Sequence, residues 1–125
     1  MPVTVNWDND KRTILCFRIV GHLTWQEFNW AWLESVAMLY SVSHTVNTIV
    51  DVTQMVNMPL DLVTRSLNLV RSQPQNWGMS FVTTNNSFLT FMFNKFRKIA
   101  PHESSRLQLV PNVEAARQYL QEPVH

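Results

Sequence analysis

The chain is poor in cysteine and glycine, with one cysteine, Cys16, and two glycines, Gly21 and Gly78. A single thiol excludes an intramolecular disulfide and a thiolate metal cluster, and it fits a reducing compartment. Two isolated glycines exclude the glycine-rich turns that cradle dinucleotides or the phosphates of a P-loop. No apolar run approaches the ~20 residues of a membrane span. Met1 to Asp10 is polar and acidic where a secretory signal needs an apolar core, so the expected location is cytoplasmic, without a transmembrane segment. A dominant charge is lacking too: ten Lys and Arg against nine Asp and Glu leave +1. So small a net charge creates no global field, and nucleic acid is not an expected partner.

What is present is apolar surface. Hydrophobic residues make up 46% of the 125 and charged residues 15%, the composition of a packed globule. The length suits one domain over residues 1–125, with an ordered core from about 3 to 121 and a tail that frays beyond Gln121.

The elements follow from periodicity. Val3 to Trp7 alternates, Asp8-Asn9-Asp10 supplies turn chemistry, and Thr13 to Val20 is β-rich, which reads as an opening hairpin. In its second strand Leu15, Phe17 and Ile19 share one face and Ile14, Cys16 and Arg18 the other, so the strand belongs inside a sheet. Thr24-Trp25-Gln26-Glu27 fits a capping box and starts a helix. The spacing gives that helix a core stripe of Trp25, Phe28, Trp32, Val36 and Leu39, with Glu27, Glu34 and Met38 pointing away and Trp30 on the far side. Val46 to Val52 is a β-branched run between helices, the sign of a parallel strand. Pro59 suits the first turn of a second helix, with Asp61 early, Arg71 late and a stripe of Leu60, Val63, Leu67 and Val70. Met79 to Thr83 reads as a strand, and Asn85-Asn86-Ser87 offers caps for a third helix that Pro101 stops. Arg106 to Val110 and Val113 to Leu120 complete the series as strand and helix. The order β-β-α-β-α-β-α-β-α predicts an α/β fold with a mixed sheet, one antiparallel edge strand and right-handed crossovers.

That order, with a short strand ending in Asp51-Val52-Thr53, resembles the STAS family, the SpoIIAA-like or anti-sigma-factor-antagonist-like domains. In bacterial antagonists of that family the corresponding strand ends in an Asp-Leu-Ser-like motif, which Asp51-Val52-Thr53 matches in kind. The family's downstream Asp-Ser-Ser-Gly motif, which carries a phosphorylated serine at a helix start, has no counterpart. Gln54 to Asp61 reads Gln-Met-Val-Asn-Met-Pro-Leu-Asp, without serine or glycine. The resemblance implies a divergent, non-catalytic regulatory or protein-interaction module of bacterial type. Similarity to SEC14-like lipid-binding proteins implies the alternative, a carrier of a small apolar or lipid ligand in a cavity of a few hundred Å³ lined by Phe and Met. An enzyme is the third reading.

In such a sheet, ligands meet the carboxyl ends of the parallel strands. The candidate ligand or regulatory pole is therefore Asp51, Thr53, Gln54, Thr83, Asn85 and Asn86, with His22, Thr24, Thr84 and Ser87 nearby. The competing structural role for these residues is to cap helices and fix turns. A triad of Asp51, His22 and Ser87 lacks the Gly-x-Ser-x-Gly elbow, so no catalytic residue is assigned. His44 and His102 fall at the opposite pole from His22, so no metal and no cofactor is expected. Cys16 reads as a small core residue.

The third helix is unusual. Phe88, Leu89, Phe91, Met92, Phe93, Phe96 and Ile99 span an arc wider than the ~100° that one sheet face needs, beside Lys95, Arg97 and Lys98. The first expectation is a homodimer interface built on Phe88, Phe91, Phe93, Phe96, Lys95 and Arg97. A membrane-surface or acyl contact and burial within the monomer are the competing readings. A nucleic-acid platform ranks below them.

Overall fold

The alternating pattern at the start of the chain builds a hairpin. Strands β1 (Val3–Trp7) and β2 (Ile14–Gly21) pair antiparallel, with Val5 opposite Phe17. Asn9 organises the turn between them: its side-chain oxygen accepts from the amides of Thr13 (3.0 Å) and Ile14 (3.2 Å), and its amide donates to the Thr13 hydroxyl (2.7 Å). Arg12 adopts a left-handed φ of 56° in this turn.

The computed structural model describes residues 3–56 and 62–121. The helix start expected at Pro59, with Leu60 and Asp61, lies outside the described residues. So do the side chains of Val63 and Leu67 and the tail after Gln121.

Three further strands, β3 (Val46–Met55), β4 (Trp77–Thr83) and β5 (Leu107–Val110), join β2 in parallel to give a five-stranded sheet in the order β1-β2-β3-β4-β5. This is the mixed sheet with one antiparallel edge strand that the element order predicts. Strand β3 runs three residues past its expected end at Val52, and β4 begins two residues before Met79. Gly78 sits beside the β3–β4 irregularity, where a Cβ would collide with Asn47 Oδ1, the atom that accepts the Met79 amide at 2.8 Å. Only glycine fits there without movement.

Because the parallel strands follow in sequence, right-handed crossovers place helices α1 (Trp25–Tyr40), α2 (Leu62–Arg71) and α3 (Ser87–Ile99) on one face. The capping box at Thr24 forms as expected: Glu27 N donates to Thr24 Oγ1 (3.2 Å) and Thr24 N to Glu27 Oε1 (3.3 Å). The core face of α1 is rotated from the expected stripe. Ala31, Ser35 and Leu39 are buried, Phe28 and Trp32 flank them, and Met38, expected to point away, packs on the core. Small side chains at Ala31 and Ser35 let the helix approach closely, and Ser35 Oγ donates to the Trp32 carbonyl at 2.6 Å, so its hydroxyl can be buried.

Pro101 ends α3 as expected and also opens a short helix, α4 (Pro101–Ser104), that the sequence reading does not contain. The opposite sheet face carries α5 (Val113–Gln121), which packs Ala116 against Ile14, Ile49, Phe81 and Val110 and sets Tyr119 5.1 Å from the Phe81 ring. Arg117 ties α5 to the hairpin through a two-pronged contact with Asp8, at 2.9 and 2.7 Å. Cys16 is half-buried beside this second core, and burial, followed by the nearby Asp8 charge, raises its thiol pKa. Among the described residues no helix is long and apolar enough to cross a membrane.

Candidate functional site

The residues expected at the strand ends divide into a bonded cluster and an exposed rim. Asp51, Thr53 and Thr83 come together on the α5 side of the sheet. One Asp51 oxygen accepts from the Thr53 amide (3.1 Å), the Thr53 hydroxyl (2.7 Å) and the buried Thr83 hydroxyl (2.8 Å). Its second oxygen lies 3.7 Å from Arg18 Nε. Arg18 was not among the expected site residues, although its parity on β2 and the parallel pairing of Arg18 with Asp51 set it there. Burial pushes the Asp51 carboxyl up, but the Thr53 and Thr83 hydrogen bonds and the Arg18 charge outweigh it and hold the pKa below the ordinary value. The cluster is thus an ionised carboxylate with its acceptor capacity largely used.

Gln54 and Asn85 are exposed and join no part of this cluster in the described hydrogen bonds. Asn86 is the N-cap of α3, accepting from Phe88 N (2.8 Å) and Leu89 N (3.4 Å), and Thr84 Oγ1 accepts the Asn86 amide at 3.0 Å. Asp51 forms no described hydrogen bond to His22 or Ser87. Among the described residues no group of three His, Cys, Asp or Glu side chains could hold a metal ion.

The expected interface on α3 splits in two. Phe93 and Phe96, at 8% and 3% exposure, are turned into the fold with Leu89, so they present no outer surface. Both rings line the space between the helical layer and the sheet, together with Val82, Leu107 and Leu109. Phe88 and Phe91 remain about half exposed and Ile99 about two-thirds, and Lys95 Nζ lies 5.1 Å from the Phe91 ring centroid. A second exposed apolar stripe runs along α1. Trp30, Leu33 and Tyr40 are 64%, 52% and 74% exposed, with Ala37 between the last two, at the spacing of one helix face. Trp30 stands on the far side of α1, where the helical period puts it.

Between the helical layer and the sheet lies a cavity of about 170 Å³. The sheet contributes Phe17, Ile19, Val50, Val52 and Val82; α1 contributes Phe28 and Trp32; α3 contributes Met92, Phe93 and Phe96; Leu69 and Val70 come from α2. It sits where the carrier reading placed it, between the sheet and the aromatic third helix, and is smaller than the few hundred Å³ expected. Among the described residues its wall includes the polar side chains of Thr48, Ser80 and Gln73. Thr48 and Ser80 hydrogen-bond to each other, and Trp77 Nε1 donates to Ser80 Oγ at 3.1 Å. By contrast, Trp32 Nε1 and Gln73 Oε1 are buried without a hydrogen-bond partner. The signal that could have found this site was a polar residue at a core-facing strand position: Thr48 and Ser80 share the inward parity of Val50 and Val82.

No family model matches the chain, and no curated protein matches its sequence. A solved structure does match: an uncharacterised protein of the DUF3478 family from Shewanella loihica PV-4, with a SpoIIAA-like fold. The two superpose with a TM-score of 0.65 at 13% identity, over 94% of this chain and 91% of that one. The fold is SpoIIAA-like. The likeness extends over nearly the whole chain and therefore covers the sheet and both layers of this SpoIIAA-like domain, while the low identity limits it to architecture.

Proposed function

We propose that this SpoIIAA-like domain is a non-catalytic binding module that takes a small apolar ligand into the cavity between the sheet and helices α1, α2 and α3. One observation carries the reading: a space of about 170 Å³ whose described wall is almost wholly aliphatic and aromatic. Native interiors are packed to the density of organic crystals, and a cavity of about 150 Å³ is enough to bind benzene. The polar cluster around Asp51 supports a structural role instead, because one carboxylate oxygen accepts three hydrogen bonds from its neighbours and the other faces Arg18.

The test is a titration with one-ring and short-chain apolar compounds, followed by amide chemical shifts. Saturable shifts confined to the cavity wall, lost when Val50→Trp fills the space, are expected. A folded wild-type protein with no saturable response at millimolar probe would overturn the reading.

A second reading, an interaction module that forms a homodimer, draws on the exposed stripes of α1 and α3. Light scattering of wild type, Trp30→Asp and Phe91→Asp decides it. Because both side chains are solvent-exposed, each variant keeps its fold, with stability changed by about 0.5 kcal/mol or less. A dimer dissociated by either variant supports the interface; a wild-type monomer at high concentration removes it.

A further inference from the structure

Resting on the homodimer reading above, we propose that the exposed face of α1 receives the exposed face of α3 from a second copy of this chain, so that one two-fold axis forms two identical α1–α3 contacts. The two helices are opposite in charge. Helix α1 carries Glu27 and Glu34 and no Lys or Arg, whereas α3 carries Lys95, Arg97 and Lys98 and no Asp or Glu. The contrast reaches past the helix ends: residues 19–64 hold no Lys or Arg, and residues 62–102 hold no Asp or Glu.

Each helix turns apolar and charged side chains outward together. On α1, Trp30, Leu33 and Tyr40 are exposed with Glu34 beside them. On α3, Phe88, Phe91 and Ile99 share one exposed arc with Lys95 and Lys98. Among the described residues no ion pair engages Glu34, Lys95 or Lys98. Pairing α1 with α1, or α3 with α3, sets charges of one sign on both sides of the contact, which opposes association. Pairing α1 with α3 sets opposite signs across it. The chain therefore carries both halves of a complementary interface, and the partner that supplies the missing half is another copy.

The fold lets a single axis use both faces. Helices α1 and α3 lie on the same side of the sheet, and each follows the carboxyl end of a parallel strand, β2 and β4, so both start at the same pole. A two-fold rotation about an axis over α2, parallel to the helices, brings α1 of each copy opposite α3 of the other and leaves every residue at its own height. Trp30 and Phe91 both stand in the second turn of their helices, and Glu34 and Lys95 both in the third. Aromatic then meets aromatic, and carboxylate meets ammonium. The contact is isologous, so it closes at two copies instead of growing into a filament.

Charge reversal followed by mixing tests the pairing. Glu34 and Lys95 are exposed, so Glu34→Lys and Lys95→Glu are each expected to keep the wild-type melting curve. Each should weaken self-association at least about tenfold in sedimentation equilibrium, because each substitution enters the dimer twice and turns attraction into repulsion. Mixed in equal amounts, the two variants should associate within about threefold of the wild-type affinity. In that heterodimer the introduced lysine faces the introduced glutamate in one contact, and the native Glu34 and Lys95 face each other in the second. A wild-type dimer that neither reversal weakens, or two weakened variants that stay apart when mixed, would overturn the α1–α3 pairing and leave the homodimer reading standing. A wild type that stays monomeric at millimolar concentration would overturn both.

Discussion

The two faces of the sheet use polar groups in opposite ways. On the face under α5, polar side chains are numerous and satisfied: Asp51 is bonded to Thr53 and Thr83 and faces Arg18, and Asp8 is forked by Arg117. On the face under α1, α2 and α3, the described polar side chains are few, and Trp32 and Gln73 each hold a buried atom without a partner. The face that looks functional in sequence, rich in Asp, Thr and Arg, spends its hydrogen bonds on itself. The face that looks like ordinary core keeps both space and unspent hydrogen-bonding capacity. The polar groups around Asp51 are closed by their own partners, whereas two buried polar atoms on the apolar side, Trp32 Nε1 and Gln73 Oε1, have none.

The contrast can be broken in three places. The largest effect should come from Phe81→Ala. Phe81 is wholly buried in the core cluster under α5, and its truncation is expected to cost about 3–5 kcal/mol in urea unfolding. A loss below about 1 kcal/mol would mean that this face is as loosely filled as the other.

Next is the Asp51 cluster. Asp51→Ala leaves the buried Thr83 hydroxyl without its acceptor and should cost about 1–3 kcal/mol. The pH dependence has a definite sign. Because the native pKa of Asp51 is lowered, its stabilisation is present above the ordinary value of 3.8 and is lost as pH falls through the lower native value. Asp51→Asn should therefore be less stable than wild type at neutral pH, with the gap closing in acid below that value. Parallel unfolding curves for the two proteins from neutral pH down through the acid range would contradict the role assigned to this carboxylate.

The smallest effect is a matched pair of enlargements. Val82→Leu adds one methylene on the cavity side and should change stability by less than about 1 kcal/mol, in either direction. Ile49→Phe enlarges a fully buried side chain on the α5 side and should cost about 1–3 kcal/mol. Equal costs would erase the distinction between the faces.

Much of this was legible in the residues. Alternation in β1 and β2, the Thr24–Glu27 capping box and the Asn86 cap all appear where local chemistry puts them, because each depends on neighbours within a few positions. Asp51, Thr53 and Thr83 lie together because β3 and β4 pair in parallel with Asp51 opposite Thr83. The misplacements have a common cause. Met38 and the α1 stripe were off because a hydrophobic period gives a helix its apolar arc but not the depth at which it docks, which Ala31 and Ser35 decide. Phe93 and Phe96 were assigned to an outer surface because an arc wider than one face does not say which part is covered.

The sequence by itself determined the class of fold: an apolar-rich α/β chain, the order of its elements, its antiparallel edge and the caps of two of its helices. These rest on covalent neighbours and on periods of two and 3.6 residues. Tertiary structure alone decided where the interior fails to close. Trp32 and Gln73 are 41 positions apart, and Val50, Val82 and Phe96 sit on three different elements, so no local pattern relates them. A cavity is the volume left after α1, α2 and α3 have docked on one sheet. Its size and its unpaired atoms depend on the sum of side-chain volumes and helix positions, which exist only once the chain has folded.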